Sequence, residues 1–248
     1  MAVESKTFRA DPSAIPSAGE SDVNSNRNSN SSDRSLGIPF AWRRYFVWAQ
    51  IVIVFLLLEF ALWAPTTPIR NRWAVVAMFT LLVLVLIDRP SLERLGLRLP
   101  KTFGASIVLG IGFAMVILMV IFVHLAGGPI PANPTWPALR SVWGYLIWAL
   151  IQEFILQSFF FNRFEELYGG SNAVWIAATL FAAAHLPSPI LTTATLIGAL
   201  FFCEMFRRFR SIYPIGIIHA MLGLTIFLVT PDSLLHHMRV GIGYLQYR

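Results

Sequence analysis

The chain has 248 residues, of which 56% are hydrophobic and only 13% are charged, and its mean hydropathy is +0.64. This composition excludes an ordinary soluble domain and indicates an integral membrane protein whose length suits one helical bundle. The net charge of +6 is accounted for by basic loops beside anionic lipid, so the bilayer is an expected partner and nucleic acid is not.

Composition divides the chain into three parts. Residues 1–40 are rich in Ser and Asn, which predicts a disordered segment. Residues 41–230 alternate long apolar runs with short polar or proline-containing breaks, which predicts a transmembrane helical domain. Residues 231–248 read as a short interfacial tail. The predicted fold is therefore an all-α polytopic membrane protein.

Apolar runs and their helix-breaking ends predict a bundle of about seven spans. Arginine and lysine should be enriched in cytoplasmic loops. Placing the N-terminus in the cytoplasm puts ten of the arginines and lysines of residues 43–239 on the inside and four on the outside, so we expect that orientation, in a multi-pass protein of the plasma membrane. The predicted spans are 45–64, 73–87, 104–126, 142–164, 173–185, 190–206 and 214–229.

Glu153, His185 and His219 are ionisable residues that stand inside these apolar runs. Such residues are rare in spans, because a charged side chain at the bilayer centre costs about 2.5–3.5 kcal/mol on insertion scales, and they usually mark function. Gln157 lies one helical turn from Glu153 on the same face and could hydrogen-bond its carboxyl, whereas Gln152 is turned about 100° away.

An acid and two imidazoles that meet at similar depth suit hydrolysis. A carboxylate can take a proton from water, one imidazole can donate to the leaving group, and a second can stabilise an oxyanion. The same side chains, Glu153, His185 and His219, could instead bind a divalent metal. No His-Glu-x-x-His pair places two ligands on one helix, so the metal reading is less specific, and hydrolysis by a glutamate needs no cofactor.

The ordered motifs resemble the CPBP intramembrane proteases, a family that includes the type II CAAX prenyl proteases and the bacteriocin-processing (Abi) proteins. Family members carry Glu-Glu-x-x-x-Arg, then Phe-x-x-x-His, then His-x-x-x-Asn. The resemblance covers about residues 91–229 and begins at LERLGLRLP, residues 92–100. Its matching positions are Phe181, His185, Gly198, the Arg207-Arg208 pair, Pro214-Ile215 and His219.

Three positions differ from the family motifs, because Gln152, Gln157 and Gly223 stand where Glu, Arg and Asn are usual. In the family the first Glu is the catalytic base and acts with the Phe-x-x-x-His histidine, while the later His and Asn form the oxyanion site. The resemblance therefore implies that Glu153 replaces Gln152 as base, with His185 as its proton partner and His219 as oxyanion stabiliser.

The resemblance implies an intramembrane endopeptidase that cleaves a membrane-associated peptide or protein. The motif differences leave a second hypothesis, a catalytically inactive relative that binds a membrane peptide or another partner. A third is a small transporter that uses buried acids as proton relays, against which the chain has no two-fold internal repeat. The sequence does not distinguish a prenylated C-terminus from a leader peptide or a sorting tail as substrate.

Overall fold

The computed structural model describes residues 40–128 and 139–247. Within these ranges the chain is helical and contains no strand, which confirms the all-α prediction. The N-terminal segment predicted to be disordered lies outside the described residues, apart from its last position. Residues from 43 onward form one compact unit, and the contacts given below lie within it.

Long apolar helices dominate the described chain, and six of them are long and apolar enough to cross a membrane. One of the six is continuous through three elements, α4, a π-helix and α5. The elements are α1 (Phe40–Leu62), α2 (Thr67–Asp88), α3 (Thr102–Leu125), α4 (Leu139–Glu153), the π-helix (Phe154–Phe161), α5 (Asn162–Tyr168), α6 (Gly170–Ala183), α7 (Pro189–Phe209), α8 (Ile212–Val229), α9 (Asp232–Leu235), a 3₁₀ turn (His236–Met238) and α10 (Ile242–Leu245).

The predicted span 173–185 corresponds to α6, which has only 14 residues. A helix of that length is about 21 Å long, which is shorter than the roughly 30 Å hydrocarbon core. Gly169, with φ of +81°, precedes the helix, and Pro187 and Pro189 follow it. The helix is therefore interrupted at its start by a glycine with positive φ and at its end by prolines. The described chain therefore has six helices of full spanning length and one shorter apolar helix. The plasma-membrane location and the cytoplasmic N-terminus stay predictions.

Helix α8 lies at the centre of the packing, with α3 and α4 against it, while α6 packs on α7. Glycines permit the close approaches. A Cβ built on Gly216 of α8 would overlap the side chain of Leu150, and one built on Gly112 of α3 would overlap Ile218 of α8. Small residues at such crossings let membrane helices approach closely, and α4 and α8 are thereby held face to face.

The segment that joins α4 to α5 changes helical geometry directly after Glu153. Residues from 154 to 161 form a π-helix, and the Asn162 N–H donates to the Gln157 carbonyl oxygen, five residues back. Side chains from Leu156 to Phe161 are all buried. π-helical turns are rare and occur often at functional sites. The change to π-helical geometry therefore indicates a candidate site around Glu153.

A buried arginine ties this segment to the first two helices. Arg163 Nε donates to Gln50 Oε1 at 2.6 Å, Nη2 donates to Asp88 Oδ2 at 2.6 Å, and Nη1 donates to the Phe159 carbonyl oxygen at 3.2 Å. The guanidinium carbon also lies 3.6 Å from the centroid of the Phe159 ring. The sequence pattern placed Arg163 with the cytoplasmic loops, but the helix continues to Tyr168, so Arg163 is an internal anchor.

We expect Arg163→Met to destabilise the protein by about 3–5 kcal/mol, because it leaves the acceptor oxygens of buried Gln50 and Phe159 without a donor. It also removes the ion pair with Asp88, whose side chain is 35% exposed. For a chain of this size such a loss lowers the unfolding midpoint by about 6–20 °C. Cys203 is the single cysteine and is fully buried, so its reaction with a thiol-reactive dye in detergent reports unfolding.

The matched control for this measurement is Arg98→Met. Arg98 pairs with Glu93 at 2.9 Å, and both side chains are largely exposed. An exposed ion pair contributes about 0–1 kcal/mol, so the midpoint should hardly change. Equal shifts for the two variants would contradict the anchoring role of Arg163.

Candidate active site

The Glu153 carboxylate is fully buried, with 0% of the residue exposed. Its Oε1 lies 2.7 Å from His219 Nδ1, and its Oε2 accepts a hydrogen bond of 3.0 Å from Gln157 Nε2. The predicted hydrogen bond between Gln157 and Glu153 is thus present. A carboxylate only accepts, so the proton in the bond to His219 lies on Nδ1.

Aromatic rings fix the orientation of His219. The Phe202 ring stacks on the imidazole with centroids 5.2 Å apart and an interplanar angle of 17°. Phe181 meets it edge-on, at 6.0 Å and 90°. With Nδ1 engaged by Glu153, Nε2 is the ring nitrogen left for chemistry. A histidine held by a carboxylate in one tautomer is the arrangement found in hydrolytic triads.

His185 lies two residues beyond the end of α6 and is held through the Phe-x-x-x-His motif. Its Nδ1 lies 2.8 Å from the Phe181 carbonyl oxygen, and since a carbonyl oxygen only accepts, Nδ1 carries the proton. The Phe181 ring also packs against the imidazole, with centroids 4.7 Å apart. Neutral His185 therefore has an unprotonated Nε2, as His219 does.

A cavity of about 250 Å³ brings most of the predicted site residues together. Its wall is mainly apolar, and His185, His219 and Gln152 are among its few polar groups. Pockets of this kind, apolar with a small number of placed polar groups, are typical of ligand and substrate sites. Phe181 and Gly223 also line the cavity. Glu153 and Gln157 do not line it; Glu153 contacts His219, and Gln157 contacts Glu153.

The cavity-facing side of α4 is defined by its helical spacing. Tyr145, Trp148 and Gln152, at positions i, i+3 and i+7, all line the cavity. Glu153 follows Gln152 by one residue and is turned about 100° from it. The structure thus pairs Glu153 with His219 and not with His185, and Gln152 is the first-motif residue that borders the cavity.

The C-terminal segment closes part of the same cavity. Met238 and Val240 line it, and the Gly241 N–H donates to the Leu186 carbonyl oxygen at 2.8 Å, next to His185. Burial raises the pKa of Asp232 in this segment, but hydrogen bonds from Tyr247 and His237 outweigh that effect and hold the pKa below its ordinary value. Through Met238 and Val240, the C-terminal segment is part of the cavity wall.

Gly223 leaves a space that a neighbouring tyrosine fills. A Cβ built on Gly223 would overlap the Tyr145 hydroxyl oxygen and lie 2.7 Å from the Tyr145 Cζ. Gly223 is one helical turn beyond His219 on α8, so the phenol is close to the imidazole. The position at which the family motif has Asn is thus occupied from the opposite helix.

We expect Gly223→Ala to destabilise the protein by about 1–3 kcal/mol, because the added methyl group forces the Tyr145 ring out of its place. Unfolding followed through Cys203 measures the effect. Gly110→Ala is the matched control, since a Cβ at Gly110 of α3 meets nothing within 4 Å and alanine favours helix over glycine. If Gly223→Ala were as stable as Gly110→Ala, the close contact with Tyr145 would be contradicted.

Metal ligation by the three predicted residues has little geometric support. Among residues 40–128 and 139–247, no group of three or more His, Cys, Asp or Glu side chains is arranged to hold a metal ion. Glu153 and His219 are in contact, while the hydrogen bond of His185 goes to a backbone carbonyl.

Comparison with protein families supports the motif reading. Residues 134–225 match the family described as Type II CAAX prenyl endopeptidase Rce1-like. This segment is therefore similar to the Rce1-like family. It contains Tyr145, Glu153, His185, His219 and Gly223. No curated protein and no solved structure matched the chain.

The segment that matches the family model includes cavity residues that the sequence motifs did not indicate. Tyr145 and Trp148 precede Glu153 on α4 and share the Gln152 face. The spacing i, i+3, i+7 places Tyr145 and Trp148 on the same helix face as Gln152. The sequence does not show that this face borders a cavity. Met238 and Val240 of the C-terminal segment carry no comparable sequence signal.

Proposed function

We propose that the protein is an intramembrane endopeptidase of the CAAX-protease type that cleaves a membrane-associated peptide or protein. The observation that carries the proposal is the pair formed by buried Glu153 and His219 beside an apolar cavity. A carboxylate that fixes an imidazole leaves Nε2 as a base and stabilises the imidazolium that forms when Nε2 takes a proton.

In the proposed reaction, His219 Nε2 removes a proton from a water molecule in the cavity. The water oxygen forms a bond to the scissile carbonyl carbon, and the carbonyl oxygen becomes an oxyanion. His219 then gives its proton to the amide nitrogen as the carbon–nitrogen bond breaks, which releases an amine and a carboxylic acid. Glu153 keeps its charge throughout and stabilises the imidazolium across the 2.7 Å contact.

The unprotonated Nε2 of neutral His185 suits a different task. It can accept a hydrogen bond from the attacking water and so orient it. The family resemblance implies the same three residues but makes Glu153 the base. Here His219 is the base, because both Glu153 oxygens are engaged by His219 and Gln157. Glu153 then acts through His219 and does not need to contact the water.

The cavity wall supports an apolar substrate. Phe55, Leu58, Leu191 and Ile226 are among its lining residues, and burial of apolar surface there would favour a lipid-modified or apolar peptide segment. The matched family is described as a prenyl endopeptidase, so a farnesylated CAAX peptide is the first probe to use.

The proposal is tested by reconstituting the purified chain in liposomes with a farnesylated CAAX peptide that carries a fluorophore and a quencher. An unprenylated peptide and a set of apolar membrane peptides are assayed in parallel by mass spectrometry. We expect new C-termini with the wild type and none with His219→Gln, which keeps a similar volume but has no imidazole base. Absence of any wild-type cleavage would overturn the proposal.

A second candidate function, a non-catalytic peptide-binding relative, is favoured by one observation. Gln152, an uncharged side chain, borders the cavity where the family motif has its Glu. For that function the wild type would bind the farnesylated peptide in the same liposomes without cutting it, and His219→Gln would bind it equally well.

A further inference from the structure

The two histidines of the cavity do not supply a hydrogen-bond donor for an oxyanion. In neutral His185 and His219 the Nδ1 proton is already donated, to the Phe181 carbonyl oxygen and to Glu153 respectively. Both Nε2 atoms are then acceptors. Hydrolysis of an amide develops negative charge on the carbonyl oxygen, and hydrogen-bond donors aimed at that charge are among the largest contributions to rate.

Tyr145 offers a donor at this place. Its hydroxyl lies against Gly223, one turn from His219 on α8, and its side chain lines the cavity with both histidines. Over the part of the chain that the structure describes, the hydroxyl forms no hydrogen bond with protein. Gln152 supplies a second potential donor on the same face of α4.

The contact with Gly223 gives the tyrosine its position. Any side chain at residue 223 would overlap the phenol, so Gly223 and Tyr145 form a complementary pair across α4 and α8. Residue 223 has no side chain, and the Tyr145 hydroxyl from α4 occupies the space beside it.

We propose that Tyr145 is a catalytic residue whose hydroxyl donates a hydrogen bond to the oxyanion formed on the scissile carbonyl. This inference rests on the proposed endopeptidase function and deepens it. The phenol proton stays on oxygen throughout the step, and the bonds made and broken are those of the hydrolysis described above.

Tyr145→Phe removes the donor and keeps the ring. Loss of one oxyanion donor typically costs about 100- to 1000-fold in kcat, and because the interaction forms only in the transition state, the KM for the farnesylated CAAX peptide should change little. A fall in kcat of less than about threefold would overturn the proposal, since removal of an oxyanion donor has a much larger effect.

A donor exchange separates this role from packing. Tyr145→Leu removes both ring and hydroxyl and opens the space beside residue 223. Adding Gly223→Asn to that variant returns a donor from α8, whereas adding Gly223→Ala fills space without one. We expect the Asn double variant to cleave about tenfold faster or more than the Ala double variant. Equal rates would show that the phenol only fills volume.

A binding measurement distinguishes failure of this inference from failure of the proposed function. The probe is a phosphinic analogue of the farnesylated CAAX peptide, in which a tetrahedral, negatively charged phosphinate replaces the scissile amide. The wild type should bind it more tightly than the amide, and Tyr145→Phe should lose at least about tenfold of that affinity.

If the wild type cuts no peptide but binds the phosphinate in a Tyr145-dependent manner, the donor assignment stands and the endopeptidase proposal fails. If the wild type cuts and Tyr145→Phe binds the phosphinate as tightly as the wild type, the endopeptidase proposal stands and the donor assignment fails. Absence of any preference for the phosphinate over the amide overturns the donor assignment as well.

Discussion

Glu153→Gln is expected to lower kcat for peptide cleavage by about 10,000-fold, the size of effect seen when the carboxylate of a hydrolytic triad becomes an amide. The glutamine has almost the same volume and can still accept a hydrogen bond from His219. It cannot stabilise an imidazolium, and its NH₂ group can favour the wrong imidazole tautomer. Initial rates with the farnesylated CAAX peptide in proteoliposomes measure the effect.

Glu204→Gln is the matched control for this substitution. Glu204 is also a glutamate on a spanning helix, but its carboxylate pairs with Arg207 at 2.8 Å and with Arg208, and it does not line the cavity. Its loss should leave the cleavage rate within about twofold of the wild type, because ion pairs of this kind contribute little. Comparable losses from both substitutions would contradict the role of Glu153.

His185→Ala is expected to reduce kcat by about 100-fold, because the attacking water loses the acceptor that orients it. The imidazole Nδ1 lies 2.8 Å from the Phe181 carbonyl oxygen. This hydrogen bond holds the ring in one rotamer, so Nε2 keeps a fixed orientation. Folding of the variant is checked by the protection of buried Cys203 from a thiol-reactive dye.

His124→Ala is the control for the histidine. His124 lies in the last turn of α3, is exposed and does not border the cavity, so its removal should leave kcat unchanged. A His185→Ala variant that folds and retains more than about a tenth of the wild-type kcat would contradict the role of His185 in orienting the attacking water.

The sequence predicted those parts of the site that depend on spacing within one helix. Gln157 and Glu153 are separated by four residues, and the hydrogen bond between them follows from helical geometry. His185 is likewise four residues from Phe181, and their contact is local. Apolar runs and their helix-breaking ends also predicted the helices, because apolar length is a direct requirement of the bilayer.

The parts that the sequence could not predict depend on how helices face one another. The spacing places Gln152 and Glu153 about 100° apart, but which of them borders the cavity is set by the packing of α4 on α8. The change to π-helix after Glu153 has no simple sequence signal. Tyr145 enters the site only because Gly223, on another helix, leaves room for it.

The short length of α6 shows a related limit. The apolar run and the prolines after His185 predicted a span at residues 173–185, and the observed helix has 14 residues, which is short for a span. His185 consequently lies in the turn beyond α6. The carbonyl oxygen of the next residue, Leu186, accepts a hydrogen bond from the Gly241 N–H of the C-terminal segment. The end of that helix thus belongs to the wall of the site.

The most direct test of the account is cleavage of the farnesylated CAAX peptide by proteoliposomes in ¹⁸O-labelled water, followed by mass spectrometry of the products. The account predicts that wild-type products carry a labelled oxygen at the new C-terminal carboxylate and that Glu153→Gln, folded and reconstituted to the same level, forms almost none. Absence of labelled product from the wild type, or equal amounts from the two proteins, would contradict it.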